Sequence, residues 1–163
     1  MKANFKSLVN PRAVFALLAL LAVGMINLRG AAPQAPSSSA RRAIRLPEDN
    51  PQAPFSGGIL AGNTLYLAGR IGLDKSGKVP AEVGEEIKIL LDQIKATLEQ
   101  AGMTMDDLVY VQIACTDLSL YDKFNAAYRS YFTTKDLPAR EFIGAGSLLR
   151  GGHFELQAIA VRR

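Results

Sequence analysis

The order in which two hydrophobic periods alternate along the chain restricts its fold more than any other feature. Apolar residues recur at spacings of three and four from Ala81 to Ala101, which predicts a long amphipathic helix that Gly102 ends. They recur at every second position in Val109–Thr116 and His153–Val161, which predicts strands. The face of the first strand expected to be buried consists of Val109, Val111, Ile113 and Cys115. At 163 residues the chain has room for one ordinary domain, so these elements must share one core.

Shorter segments complete this order. Gly58–Ala61 and Thr64–Gly69 flank the pair Gly62-Asn63, which predicts a hairpin. A second helix is expected over Leu120–Phe132 and a strand over Arg140–Ala145. Strands that surround two helices in this order predict an α+β domain with an antiparallel-rich sheet and both helices packed on one face.

The last strand has apolar residues on both faces. Phe154 and Leu156 belong to one face, whereas Ile159 and Val161 belong to the other. If the helices cover the face with Phe154 and Leu156, the apolar residues of the opposite face remain exposed unless another surface covers them. A second subunit is the natural source of that surface. We therefore expect an oligomer.

The N-terminal segment has the pattern of a targeting sequence. Lys2, Lys6 and Arg12 precede the uncharged apolar run Ala13–Leu28. This run is long for the core of a signal peptide and slightly short for a membrane span, so cleavage and anchoring both remain open. The protein is accordingly expected to be exported, to the periplasm or as a secreted protein, or to be anchored in a membrane by an uncleaved N-terminal segment.

A change of composition separates this leader from the domain. Residues 29 to about 54 are rich in Pro, Ala, Ser and Arg, which is typical of a tether. We assign residues 1–28 to a signal peptide or anchor, 29–45 to a flexible linker and 46–163 to the folded domain. Ala43–Leu46 can still dock as a first edge strand.

The charge of the chain is divided in the same way. Its formal charge of +4 comes from the first 46 residues, which hold seven basic residues and no acidic one. The remainder holds 12 basic and 15 acidic residues, so no nucleic-acid partner is expected. One cysteine, Cys115, excludes an intramolecular disulfide, and one histidine, His153, is too few for a usual zinc site. We expect no metal and no cofactor, and the sequence has no phosphate-binding loop or dinucleotide fingerprint.

Several C-terminal motifs resemble a known family. Leu137-Pro138-Ala139-Arg140 is followed, fifteen residues after the arginine, by Glu155 within the motif segment His153–Arg162. Upstream segments stand in the order that the same family shows, namely Ala53–Ser56, Leu65–Asp74 and Phe124–Tyr128. From about residue 46 to 163 the chain thus resembles the RidA/YjgF family of reactive-intermediate deaminases.

The resemblance implies a chorismate-mutase-like fold, a homotrimer whose sheets form a central barrel, and pockets in the clefts between subunits. It also implies cofactor-free hydrolysis of small 2-imino or 2-enamino acids to 2-oxo acids and ammonia. The alternative is a non-catalytic trimer on the same fold that binds small carboxylates or acts like a holdase, since a fold does not guarantee an activity.

The resemblance also assigns roles to residues. Arg140 matches the arginine that binds the substrate carboxylate, and Glu155 matches the glutamate near the attacking water. The substrate-binding set that it implies is Arg140, Gly69, Arg70, Phe55, Asn125 and Phe142. Two alternatives remain open: Glu155 as a member of a structural ion pair, and Asn125 as a helix N-terminal hydrogen-bonding residue.

Four positions depart from the family pattern. Phe55 stands where tyrosine is common, Arg70 replaces a common glutamine, and Phe142 replaces a common cysteine. Gln157 replaces a second glutamate. We therefore expect a pocket that is more apolar on one side and more basic on the other.

Overall fold

The computed structural model describes residues 41–163. The predicted leader 1–28 and residues 29–40 of the predicted linker lie outside the described residues. The strands and helices are β1 (Arg42–Ile44), β2 (Gly58–Ala61), β3 (Thr64–Ile71), α1 (Val83–Gln100), β4 (Leu108–Cys115), α2 (Tyr121–Arg129), β5 (Ala139–Gly144) and β6 (Phe154–Val161). Neither helix of this part of the chain has the length and apolar character that crossing a bilayer requires.

The six strands form one sheet in the order β1-β2-β3-β6-β4-β5. β4 and β5 run parallel, because α2 lies in the connection between them, and the other neighbours are antiparallel. The core lies between one face of the sheet and the two helices, where Leu65, Ile113 and Leu156 from the strands meet Leu91 and Phe124 from the helices. The predicted α+β architecture is confirmed.

Helix α1 ends as its sequence predicts. Gly102 has a φ of 71°, a left-handed conformation that costs glycine little. The amide of Gly102 donates to the carbonyl of Glu99, and the amide of Met103 donates to that of Leu98, each at 2.9 Å. These two bonds form a Schellman motif and satisfy carbonyls that the end of the helix leaves free.

Strand β4 differs from its prediction at one position. Val109 was expected on the buried face, but its side chain is exposed and Leu108 is buried instead. The register of β4 against β6 shifts between Leu108 and Tyr110, as in a β-bulge. The extra residue of the bulge interrupts the alternation that the sequence pattern extrapolates, whereas Val111 and Ile113 keep their predicted side.

The segment before β2 is more ordered than its composition indicates. β1 pairs with β2, which confirms the predicted edge strand, and Ile44 and Leu46 are buried. A turn follows, in which the amide of Asp49 donates to the carbonyl of Leu46 at 3.0 Å. The tether predicted to continue to about Pro54 is therefore wrong in its last part, because these two apolar side chains fill the edge of the core.

A buried carboxylate fixes the start of β6. Glu86 of α1 is fully buried, and its Oε1 accepts hydrogen bonds from the amides of His153 (2.7 Å) and Phe154 (3.2 Å). Its Oε2 lies 2.7 Å from Nδ1 of His153. A buried carboxylate is costly unless it is hydrogen-bonded and paired, so Glu86 stays buried only while these contacts are made. They therefore hold the backbone that immediately precedes Glu155 against α1.

Replacing this anchor should destabilise the domain. We expect Glu86→Ala to lower the free energy of unfolding by about 3 kcal/mol, because the amides of His153 and Phe154, the second of them buried, lose their acceptor. Glu86→Gln keeps one oxygen and should cost less, about 1 kcal/mol. Urea unfolding followed by circular dichroism measures both values. The exposed neighbour Glu85→Ala is the control and should change stability by less than about 0.5 kcal/mol; an equal effect of Glu85→Ala and Glu86→Ala would contradict this role.

Candidate active site

The predicted site residues fall into two groups. Four of them line one open cavity of about 1610 Å³, and we call them the Glu155 half-site: Phe55, Gly69, Arg70 and Glu155. The other three lie on β5 and α2 and do not line this cavity; we call them the Arg140 half-site: Arg140, Phe142 and Asn125.

Gly69 lies directly against the carboxylate of Glu155. The register of β3 against β6 shifts between Leu67 and Arg70, which places Gly69 in a bulge beside Glu155. A Cβ atom at position 69 would overlap Oε1 of Glu155. The glycine therefore lets the Glu155 carboxylate lie directly against the backbone of β3, and a larger residue would displace the end of this side chain.

Arg70 is held in a bidentate ion pair. Its Nη1 lies 2.6 Å from Oδ1 of Asp49 and its Nη2 lies 3.0 Å from Oδ2, and both side chains are largely buried. A Cβ atom at Gly57 would overlap Nη2 of Arg70, so this glycine makes room for the pair. The charge that Arg70 was expected to add to the pocket is balanced by Asp49.

The environment of Asp49 agrees with this pairing. Burial by itself raises the pKa of Asp49, but the hydrogen bond from Arg70, the hydrogen bond from the Leu46 amide and the nearby positive charges outweigh it. The pKa of Asp49 therefore lies below its ordinary value. Asp49 is an anion at neutral pH, as the bidentate contact with Arg70 requires.

Arg140 has the opposite environment. Its guanidinium carbon lies 5.1 to 5.7 Å from the ring centres of three aromatic residues, Tyr121, Tyr128 and Phe142. Its Nη2 donates to the hydroxyl of Tyr121 at 3.3 Å. Within residues 41–163 no carboxylate oxygen lies within 4.0 Å of Arg140, as the ion pairs there involve other residues. Aromatic faces hold the guanidinium plane and leave its charge free for an anion.

The tyrosines beside Arg140 were not predicted as site residues. The hydroxyl of Tyr128 is buried without a hydrogen-bond partner among the described residues. Burial raises the pKa of Tyr128 to about 12, with Arg140 partly offsetting it, so this hydroxyl stays neutral and does not balance the charge of Arg140. From the sequence, Tyr128 was identified only as the last residue of the segment Phe124–Tyr128 and was given no role at the site.

Asn125 lies in the middle of α2. It is the fifth residue of this helix and is buried. Because α2 begins at Tyr121, Asn125 is beyond the first turn, and the alternative of N-terminal helix hydrogen bonding does not fit its position. Its neighbours on α2, Phe124 and Tyr128, contact Phe142 and Arg140 of β5.

Arg140 and Glu155 lie on opposite faces of the sheet. Arg140 pairs in register with Val111, which pairs with Ala158, and both partners are buried beneath the helices. Glu155 belongs to the alternate set of β6 residues, which faces away from the helices. Glu155 lies two strands from Arg140 and three positions along β6 from Ala158, the residue level with Arg140. At ordinary strand spacings the Cα atoms of Arg140 and Glu155 are therefore roughly 14 Å apart. Within one copy of the chain, Arg140 and Glu155 therefore cannot contact the same small molecule.

Comparison with known proteins agrees with this architecture. The family model described as endoribonuclease L-PSP matches residues 47–162. The 2-iminobutanoate/2-iminopropanoate deaminase of Escherichia coli K12 is 35% identical over 113 residues, which cover 68% of this chain and 88% of that protein. The protein of the same name from Bos taurus is 34% identical over 111 residues, which cover 67% of this chain and 80% of that protein.

Solved structures share the fold. The crystal structure of the yjgF gene product of E. coli has a TM-score of 0.67 and 34% identity, and the match covers 75% of this chain and 99% of that one. This similarity confirms the chorismate-mutase-like α+β class that the sequence motifs implied. The family model and the relatives together show that the chain belongs to the RidA/YjgF family, whose family model is described as endoribonuclease L-PSP.

Proposed function

We propose that the chain hydrolyses small reactive 2-imino or 2-enamino acids to 2-oxo acids and ammonia. The names of the E. coli and Bos taurus relatives support this reaction class. The observation that bears most directly on it is the unpaired guanidinium of Arg140, held among aromatic rings with no carboxylate of the described residues beside it. Such a group suits recognition of a carboxylate.

The proposed chemistry needs one cation and one base. Arg140 binds the substrate carboxylate through two parallel hydrogen bonds. Glu155 orients a water molecule and accepts its proton as the water oxygen bonds to C2 of the imine. The imine nitrogen takes up protons, the C–N bond breaks, and ammonia leaves as the C2 oxygen becomes the carbonyl of the 2-oxo acid. No step requires a metal or cofactor.

The site that we propose is formed between two copies of the chain. Arg140 and Glu155 lie on opposite faces of the sheet in one copy, which supports this arrangement. The face without helices has exposed apolar side chains, including Tyr66, Ile143 and Val161, that a partner would cover. We propose the homotrimer that the family resemblance implied, in which each cleft takes the Glu155 half-site from one copy and the Arg140 half-site from its neighbour.

The second candidate function is a trimer that binds small carboxylates without turnover. Phe55 and Phe142, one in each half-site, have side chains without a polar atom. A site with fewer polar groups around the reacting atoms favours this alternative, because catalysis depends on groups that stabilise the transition state.

We further propose that residues 1–28, which lie outside the described residues, direct export or anchor the protein to a membrane. Basic residues before an uncharged apolar run support this. The protein would then act outside the cytosol, with membrane contact only through this segment. The excess of acidic residues after residue 46 supports a small carboxylate substrate reached through Arg140 more than a nucleic-acid partner.

Two substitutions separate hydrolysis from binding. We expect Glu155→Gln to lower kcat for 2-iminopropanoate and 2-iminobutanoate by about 10²- to 10³-fold, since the water loses its base. Binding of 2-oxobutanoate should change little in this variant but should be lost in Arg140→Ala. Ammonia release above the spontaneous rate and calorimetric titration measure the two effects.

The exposed helix residue Arg129→Ala is the control and should match the wild type in both measurements. If folded wild-type protein binds 2-oxobutanoate through Arg140 yet does not accelerate ammonia release, the binding function replaces the enzymatic one. Full activity in both Arg140→Ala and Glu155→Gln would contradict both functions.

Mixing inactive variants tests the site between copies. Co-expressed Arg140→Ala and Glu155→Gln chains should regain about a quarter of the wild-type activity, because random assembly gives that share of clefts two intact halves. The control mixture pairs Glu155→Gln with the double variant and should stay inactive. If the first mixture is also inactive although the chains co-purify, each site lies within one copy.

The leader should determine where the protein is found. We expect the full-length chain in the membrane or exported fraction of a bacterial host, and a chain without residues 2–28 in the cytosolic fraction. Cell fractionation with mass determination of the N-terminus distinguishes cleavage from anchoring. A full-length chain that stays cytosolic with its first 28 residues intact would rule out both fates.

A further inference from the structure

Two exposed apolar side chains share the cavity that contains Glu155. Leu149 is 75% exposed and Phe55 is 59% exposed, the highest values among the large apolar residues that the structure describes as exposed. Both line the same cavity as Gly69 and Glu155. Exposed apolar side chains scattered singly are ordinary, but two that line the same cavity as a candidate catalytic carboxylate suggest an apolar ligand group.

A backbone hydrogen bond joins the segment that contains Phe55 to the part of β3 that lies beside Glu155. The carbonyl of Gly57 accepts a hydrogen bond of 3.0 Å from the amide of Ala68. Ala68 precedes Gly69, which lies against the Glu155 carboxylate. Nη1 of Arg45 also donates to the carbonyl of Phe55 at 3.1 Å. The segment that presents the Phe55 ring is thus fixed beside the bulge of β3.

The loop that contains Leu149 packs against Ile71, the residue of β3 that is paired with Glu155. Ile71 pairs in register with Glu155, and a Cβ atom at Gly152 would lie only 2.6 Å from Cγ2 of Ile71. The loop that contains Leu149 therefore packs closely on the strand residue next to Glu155. The following residue, His153, is held by Glu86, so the end of this loop is anchored.

The backbone of this loop is strained. Arg150 has a φ of 58°, and among residues 41–163 no other residue apart from glycine has a positive φ. A left-handed conformation is unfavourable for a residue with a Cβ, and such strain persists where the surrounding structure imposes it, often at ligand sites. The strain accompanies a Leu149 side chain that is turned to solvent in the cavity and not into the core.

We propose that Phe55 and Leu149 form an apolar subsite for the side chain of the substrate, and that the enzyme prefers imino acids with large apolar side chains. This rests on the function proposed above. One cation of this cavity, Arg70, is paired with Asp49 and does not present a free charge to the subsite. Each methylene that enters such a subsite should raise kcat/KM about three- to fourfold.

A series of substrates tests the preference with the full-length protein. The series is 2-iminopropanoate, 2-imino-4-methylpentanoate and 2-imino-3-phenylpropanoate, each generated from its amino acid by an amino-acid oxidase. We expect kcat/KM for each of the two large substrates to exceed that for 2-iminopropanoate by at least about tenfold. Phe55→Ala and Leu149→Ala should each reduce this ratio several-fold. Leu118→Ala is the matched control, because Leu118 is 56% exposed but does not line the cavity, and it should leave the ratio unchanged.

A binding measurement keeps this test independent of turnover. The corresponding 2-oxo acids should bind Glu155→Gln in the same order, with 2-oxo-3-phenylpropanoate tighter than 2-oxopropanoate. If no imine is hydrolysed, the proposed reaction fails while this order still decides the subsite. If kcat/KM is nearly the same for the large substrates and for 2-iminopropanoate while hydrolysis still depends on Arg140 and Glu155, the proposed subsite is wrong and the proposed reaction stands. A preference for 2-iminopentanedioate would also overturn it, by indicating that Arg150 on the same loop binds a second carboxylate.

Discussion

The alternation of side chains along β6 determines the organisation of this molecule. Phe154, Leu156, Ala158 and Ala160 face the helices and form much of the core, so every residue between them must face away. Glu155 belongs to this second set, whereas Arg140 belongs to a strand position whose register partners face the helices. A register shift of one residue would place the apolar set of β6 on the open face, and core packing therefore fixes which face the carboxylate occupies. The separation of the two candidate catalytic groups follows from the packing of the core.

Most of the fold could be predicted because it depends on local patterns. The stripe of α1 and the glycine after it, the hairpin at Gly62, and the alternation in β6 each involve neighbours in sequence. The failures concern longer range or local irregularity. The bulge in β4 exposes Val109 without any signal in the residue types, and the segment 42–54 is ordered because Ile44 and Leu46 reach a core that composition alone does not reveal.

The candidate site shows the same limit. The spacing between Arg140 and Glu155 identified both residues through the family resemblance, but nothing in the sequence distinguished the environments of Arg140 and Arg70. One guanidinium lies among aromatic rings and the other is bound by a carboxylate 21 residues earlier in the chain. Asp49 lies in a segment whose composition predicted a tether, so it was not expected to bind Arg70. Glu86 lies in a helix that was predicted from its apolar residues, and nothing in that pattern indicated a buried carboxylate. Partners that come from distant segments become visible only when the chain is folded.

The contact between Gly69 and Glu155 restricts how this protein can evolve. Any mutation that adds a Cβ atom at position 69 displaces the carboxylate, and a shorter acidic side chain at position 155 withdraws it from the same backbone. The position of the Glu155 carboxylate therefore depends on the absence of a side chain at position 69. Phe55 and Leu149 are exposed and line the same cavity, and neither is among the nearest atoms to an added Cβ at position 69. A change at position 55 or 149 would therefore alter which substrate side chain is accepted without moving the carboxylate.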